Sequence, residues 1–309
     1  MRRGVLRVLV VLAALAPLAA AAGEAKLKAV ATFSILADLV AQVGGDRVAV
    51  TSLVGPDADA HGYSPAPGDA RRVAEADLVV VNGLGFEGWI ERLIRASGTK
   101  APVVTASNGI ATIPASEDHD HDHGKDHGHA HGDGDHPDPH AWQSVANVKT
   151  YVGNIRDALT KIDPDHAADY ATRAASYTER LDALEGEIRA GLAAIPEGQR
   201  RIITTHDSFG YYAAAYGLRF LAPQGISTNS EAGPKDVARI IRQIRRDKVP
   251  AVFVESIADP RLMQQIARES GAKLGARLYS DALSGPDGPA STYLEMMRAN
   301  LRAFREALQ

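Results

Sequence analysis

The sequence predicts an α/β protein: two parallel-sheet lobes bridged by one long helix. Three observations carry that expectation. Short continuous apolar runs alternate with helical patterns, which is how strands buried on both faces of a parallel sheet read. The alternation occurs once in each half of the 309-residue chain. Between the halves lies a helical pattern from Asp165 to Ala194. At 1.5 Å per residue it is ~40 Å long, enough to run along two lobes and tie them together. The alternative is a helix lying on one lobe alone.

In chain order, Lys28–Phe33 and Val48–Val54 read as strands, with the helical pattern Ser34–Val43 between them. A helix follows over Gly68–Ala76, after Pro67. "DLVVVN", Asp77–Asn82, is a continuous apolar strand, Phe86–Ala96 an amphipathic helix and Val103–Thr105 a fourth short strand. Val145–Ile162 is helical, and Asp163-Pro164 punctuates the chain before the long helix. The second half offers strands at Arg201–Thr205, Leu218–Leu221, Ala251–Glu255 and Ala276–Tyr279. Its helices are expected at Asp207–Tyr216, Pro234–Asp247, Pro260–Ser270 and Thr292–Leu308. The division expected is an N-terminal lobe over 23–164, a linking helix over 165–194 and a C-terminal lobe over 195–309.

Residues 1–22 stand apart. Met1-Arg2-Arg3 is a basic start, Val5–Leu15 is apolar apart from Arg7, and small residues such as Ala20 and Ala22 follow Pro17. This is the pattern of an export signal cleaved near Ala22. The apolar run is shorter than the ~20 residues that a membrane span requires. The composition includes no cysteine, so disulfides, thiolate metal sites and a lipid-modified N-terminal cysteine are not expected. The expected location is the periplasm. Loss of Arg2, Arg3 and Arg7 with the signal takes the formal charge from −4 to −7, which argues against nucleic acid or anionic lipid as a partner.

Several signatures of chemistry fail on inspection. "GLGFEG", Gly83–Gly88, fits the dinucleotide fingerprint and follows a strand. The acidic residue expected about 20 positions later is missing from "VVTASN". A tight strand-to-helix turn is the simpler reading. Neither G-x-S-x-G nor H-E-x-x-H occurs. In "THDSFGYY", His206, Asp207 and Ser208 are adjacent, whereas triad members converge through the fold. Asp207 or Ser208 there suits a helix N-cap.

The histidines divide into two groups. "SEDHDHDHGKDHGHAHGDGDHPDPHAW", Ser116–Trp142, holds eight of the eleven. Apolar residues nearly vanish from its span, so the 116–139 segment is read as a mobile insertion that cannot bury enough surface to order itself. Outside it, His61 lies in a polar turn after a strand and His206 ends a strand. His140 closes the tract in "DPHAW", and Asp281 ends another strand in "ARLYSD". In open parallel sheets ligands bind beyond the carboxyl ends of strands. Two facing lobes would bring such ends together, and three imidazoles with one carboxylate make a tetrahedral metal site. Each histidine taken singly reads more readily as an ordinary surface or capping residue, and His166 is expected to be one.

The whole mature chain resembles the solute-binding proteins of zinc and manganese ABC transporters, the ZnuA/TroA-like group (cluster A-I). The matching stretches include "ATFSILADLVAQVGGDRVAVTSLVGPDADAHGYSP", "ADLVVVNGLGFEGWIERL", "DPHAWQSVANVKTYVGNIRDALTKIDP", "THDSFGYYAAAYGL", "STNSEAGPKDVARIIRQIR", "VFVESIADPR" and "LYSDALS". The resemblance implies two parallel-sheet lobes, a rigid helix between them and a metal in the inter-lobe cleft. It carries His61, His140, His206 and Asp281 over as ligands. The absence of cysteine and the ligand spacing are also similar to the AztC-type zinc binders.

Three neutral imidazoles and one carboxylate suit Zn²⁺. Manganese prefers more oxygen donors, and the resemblance implies a Glu in manganese members where His206 stands here. A catalytic zinc keeps one position open, so ligation by Asp281 separates a carrier from an enzyme. Glu231 and Glu255 are the substitutes should Asp281 face away, with Glu255 expected to support the site from a strand end. His119, His121, His123, His127, His129, His131 and His136 read as accessory capture groups, since alternate side chains of an extended chain share a face. A plain soluble spacer is the alternative. The leading function is high-affinity zinc binding for an ABC-type importer, without catalysis. The partners are an inner-membrane permease and a periplasmic zinc chaperone, and a monomer is expected. A zinc buffer with no transporter, a manganese carrier, a metal hydrolase and an adhesin are the competing readings.

Overall fold

The computed structural model describes residues 25–115 and 136–309. The export signal and the tract histidines from His119 to His131 lie outside the described residues.

The first lobe is a four-stranded sheet of β1 (Leu27–Phe33), β2 (Val48–Val54), β3 (Leu78–Val81) and β4 (Val103–Thr105) in the order β2-β1-β3-β4. The second holds β5 (Arg201–Ile203), β6 (Arg219–Leu221), β7 (Ala251–Val252) and β8 (Lys273–Leu274) in the equivalent order β6-β5-β7-β8. Every pairing between named strands is parallel, with Ala29 opposite both Val50 and Leu78, and Ile202 opposite both Phe220 and Ala251. The last five residues of β1 and all four of β3 are buried, as strands covered on both faces must be. In each sheet the order reverses direction between the first and third strands, which opens a crevice at their carboxyl ends. Those two crevices are where the fold delivers its polar residues.

Helices cover the sheets: α1 (Ser34–Gly44), α2 (Pro67–Ala74), α3 (Ile90–Ser97) and α4 (Val145–Ile162) in the first half, and α6 (Gly210–Tyr216), α7 (Pro234–Asp247) and α8 (Pro260–Ser270) in the second. The linking helix is α5 (Ala167–Ala193), preceded by a 3₁₀ turn at Pro164–His166. Its entry is held by the Asp163 carboxylate, which accepts from Tyr170 Oη at 2.6 Å and lies 2.8 Å from His166 Nδ1. Tyr170, Ala174, Tyr177, Leu181, Leu184, Ile188 and Leu192 form its buried stripe, at the three-and-four spacing of one helix face. The final helix, α9 (Tyr293–Leu308), packs on both α5 and α1. Arg298 clamps Glu187 of α5 through two hydrogen bonds of 2.7 and 2.8 Å. The Tyr293 amide donates to Asp38 of α1 at 2.8 Å. One apolar core consequently runs through both lobes, and a smaller one backs the second sheet.

Several boundaries differ from expectation, among them the strand expected over Ala251–Glu255, which closes at Val252. The helix expected from Phe86 begins at Ile90: Gly83, Leu84 and Gly85 adopt φ of 84°, 56° and 81°, and the chain is still turning through Trp89. The strand expected at Ala276–Tyr279 reduces to a parallel bridge between Leu278 and Glu255, while β8 forms earlier. Gly275 lies between them, where a Cβ would collide with the Phe253 ring. The helix expected from Asp207 begins at Gly210 with Phe209 as its N-cap. The Asp207 amide is committed to Gly225 O at 3.1 Å instead. The strand expected to end at Thr205 closes at Ile203, leaving Thr204–His206 as a bent extension at the crevice.

Candidate metal centre

His61, His140, His206 and Asp281 converge, all buried, with one donor atom from each within 4.8 Å of the others. Each stands beyond the carboxyl end of a strand or on a loop pinned there. His61 follows β2 through the turn Gly55–Ala60, and its amide donates to Asp59 Oδ1 at 2.9 Å. The His140 amide makes the same contact with Asp138 Oδ1, at 2.8 Å. In both D-x-H sequences an aspartate folds the backbone into an Asx turn and presents the imidazole. His206 lies three residues past β5. Asp281 follows the Leu278 bridge.

The Nε2 atoms of His61 and His140 are 3.2 Å apart, and Asp281 Oδ2 lies 3.3 Å from His61 Nε2 and 3.1 Å from His206 Nε2. The other ring nitrogens face carboxylates: His140 Nδ1 stands 2.8 Å from Asp138 Oδ1, and His206 Nδ1 stands 2.5 Å from Glu255 Oε2. The latter pair is close without the alignment of a hydrogen bond. Carboxylates at Nδ1 favour the tautomer with its proton there, which leaves the Nε2 lone pairs turned inward. Neither oxygen of Asp281 and neither ring nitrogen of His206 makes a hydrogen bond, although all are buried. Buried polar atoms are ordinarily satisfied, and a cation among them is what this donor set would satisfy.

Electrostatics fit the same picture. Burial disfavours charge on His206, but the Glu255 and Asp281 carboxylates outweigh it and hold its pKa well above the ordinary value. Burial likewise pushes Asp281 up, and His206 and His140 more than reverse it, leaving the carboxyl well below its ordinary range.

A second rank of residues fixes these positions. Glu255 Oε1 accepts from the amides of Thr205 at 2.8 Å and His206 at 3.0 Å, and Oε2 accepts from Ser280 Oγ at 2.7 Å. It therefore joins His206 to the segment carrying Asp281. Ser280 O accepts from both Trp142 Nε1 and Gln143 Nε2 at 2.8 Å, which ties the turn after His140 to the other lobe. Asn82, at the crevice of the first sheet, donates to Pro139 O at 2.9 Å and accepts from Tyr151 Oη at 2.6 Å. The rings of Phe86 and Trp142 lie against the histidines, with the Trp142 and His140 centroids 5.4 Å apart, and Phe33 packs on both rings.

Glu231 is exposed and away from the cluster. His136 is exposed and contributes its carbonyl to the Ala115 amide at 2.9 Å, closing the neck of the tract. His166 sits at the head of the long helix, outside the cluster. The glycine turn at Gly83–Gly85 has its own acceptor: Glu87 accepts from the Asn82 amide at 2.6 Å and the Gly83 amide at 3.2 Å. A cofactor phosphate would find those amides already taken.

Sequence reasoning passed over Asp138, Asn82 and Ser280. Asp138 looked like one more tract aspartate, yet its signal was present in the repeated D-x-H spacing. Asn82 and Ser280 carried none, since their roles depend on long-range contacts.

The description of the family ZnuA, the periplasmic zinc-uptake complex component A, matches residues 29–307. The chain belongs to that family. Iron-binding protein YfeA of Yersinia pestis is 36% identical over 273 residues, spanning 88% of this chain and 83% of that protein. The manganese-binding lipoprotein MntA of Halalkalibacterium halodurans is 33% identical over 282 residues, spanning 91% and 88%. Among solved structures, the periplasmic zinc-binding protein TroA of Treponema pallidum superposes with a TM-score of 0.81 at 28% identity, covering 92% of this chain and 99% of that one. Within one fold, these relatives are named for three different metals.

Proposed function

We propose that this family member is a periplasmic zinc carrier that binds Zn²⁺ through His61, His140, His206 and Asp281 and delivers it to the permease of an ABC-type importer. The observation that carries the reading is the convergence of three inward imidazole nitrogens and one carboxylate with no other partner. Borderline Zn²⁺ suits such nitrogen-rich, four-donor sites. Four protein donors leave no open position for substrate, so the reading is binding and release. A periplasmic zinc chaperone as donor and a monomeric state belong to the same proposal, as does the division into lobes at 23–164 and 195–309 with 165–194 between them. The tract histidines His119–His131 and His136 are proposed to raise the local metal concentration beside the site.

Manganese is the second reading, favoured by the names of relatives such as MntA. Chelator-competition titration of the mature protein with zinc and with manganese decides between them. One equivalent of zinc held far more tightly than manganese supports the proposal, and the reverse order replaces it with the manganese reading. Loss of tight binding in His206→Ala is expected in either case.

A further inference from the structure

The start of α6 touches the first lobe at the residue that supports His140. The Tyr211 hydroxyl donates to Asp138 O at 3.1 Å and accepts from the Ile113 amide at 3.3 Å. One phenol thus grips both strands of the neck that Ala115 and His136 close. Gly210 lies against the Asp138 side chain, and a Cβ there would run into Asp138 Oδ2 and approach Ile113 Cδ1 to 3.2 Å. The other oxygen of that carboxylate is the one that holds the His140 amide and Nδ1. Tyr211 and Asp138 are both buried. Gly210 follows His206 by four residues and opens the helix that His206 precedes. The second lobe's own histidine segment therefore ends in a contact that braces the first lobe's histidine.

We infer that Gly210 and Tyr211 form a strut that sets the spacing between His140 and His206, and through it the coordination geometry imposed on the cargo metal. The inference rests on the metal-binding reading above. Tyr211 is a positioning residue: it touches no donor atom, and acts on His140 through Asp138. Outer partners of metal ligands tune both affinity and geometry, and a site with two histidines on separate lobes is only as regular as the contact between those lobes. A loosened strut lets the two imidazoles part and admits water or the second Asp281 oxygen to the metal. That change raises the coordination number and favours oxygen-seeking ions such as Mn²⁺.

The test compares the wild-type mature chain with Tyr211→Phe and, as an independent arm, Gly210→Ala, which displaces Asp138 instead of removing a hydrogen bond. Cobalt(II) is the geometric probe, because tetrahedral Co²⁺ absorbs visible light far more strongly than five- or six-coordinate Co²⁺. For Tyr211→Phe the expected results are a weaker cobalt band, zinc release to excess chelator about three- to tenfold faster, the range implied by losing the bond to Asp138 O, the one of its two neutral bonds that bears on His140, and a lower zinc-to-manganese affinity ratio. Gly210→Ala should change the band in the same direction. A cobalt spectrum and zinc release rate identical to wild type in both variants overturns the strut, even where thermal stability falls, since that pattern describes a purely structural contact. Failure of the wild-type protein to bind cobalt or zinc at all would instead remove the metal-binding reading itself.

Discussion

His206 and Asp281 face each other fully buried, and their mutual effect decides how the protein responds to pH. His206 has a raised pKa in the metal-free fold, so its ion pair stabilises that fold fully below about pH 6.5, the ordinary histidine value. The contribution fades as pH rises through the raised value. Asp281 is depressed, so its contribution is present above its ordinary range and fades only as pH falls through the depressed value. Metal binding runs the other way, since a metal needs the neutral Nε2 that the proton occupies. Calorimetric scans should therefore show a zinc-induced rise in Tm that is small at pH 5 and large at pH 8. An equal rise at both pH values would contradict a histidine-based site. Also at this scale, Glu255→Gln and Asp138→Asn keep their shape but remove the negative charge beside Nδ1 of His206 and His140. Each is expected to lower zinc affinity about 10–100-fold, read by competition with a chelator of known strength.

Among the elements, the neck of the tract and the long helix make separate predictions. Ala115 and His136 are paired across the neck, and the Asp138 amide donates to Ile113 O at 2.9 Å. Residues 116–135 can accordingly be replaced by a two-residue Asn-Gly turn without straining the strands that lead to His140. The shortened protein should retain one tight zinc equivalent, and loss of all tight binding with the fold intact would move the site into the tract. The Glu187–Arg298 clamp between α5 and α9 is half-exposed, with side chains 45% and 37% accessible. Arg298→Ala should thus cost only about 0.5 kcal/mol by double-mutant cycle. The apolar stripe of α5 carries far more: truncating a fully buried leucine such as Leu184 to alanine should cost about 2–5 kcal/mol, measured by urea unfolding.

Across the whole molecule the lobes are joined by more than the linking helix. The Leu283 amide donates to Ser34 Oγ at 2.9 Å, the Asp57 amide donates to Leu283 O at 2.9 Å, and Tyr293 Oη donates to Trp142 O at 2.8 Å. With a shared core and a final helix that packs back onto α1, wide opening about one hinge would break several buried contacts at once. Metal uptake is therefore expected to involve local movement at the loops bearing the proposed ligands. Small-angle scattering of the metal-free and zinc-loaded protein should give the same radius of gyration, and a large compaction on loading would refute the rigid arrangement.

The order of strands and helices was legible in the chain because burial writes a local pattern: "LVVV" of β3 and the stripe of α5 can each be read within one segment. His61, His140, His206 and Asp281 were legible too, through strand ends and family resemblance. Asp138 was half-legible in D-x-H, since an Asx turn is a two-residue device. Other features had no local signal. Gly275 must be glycine because the Phe253 ring lies over it, Ser280 matters because Trp142 and Gln143 reach it from 138 and 137 residues away, and Gly210 matters because Asp138 leans on it. Sequence by itself determined which residues want to be inside and which chemistry they bring. Only the tertiary structure decided which lone pairs meet and what holds them there, because those distances are set by contacts between segments whose separation along the chain leaves no periodic trace.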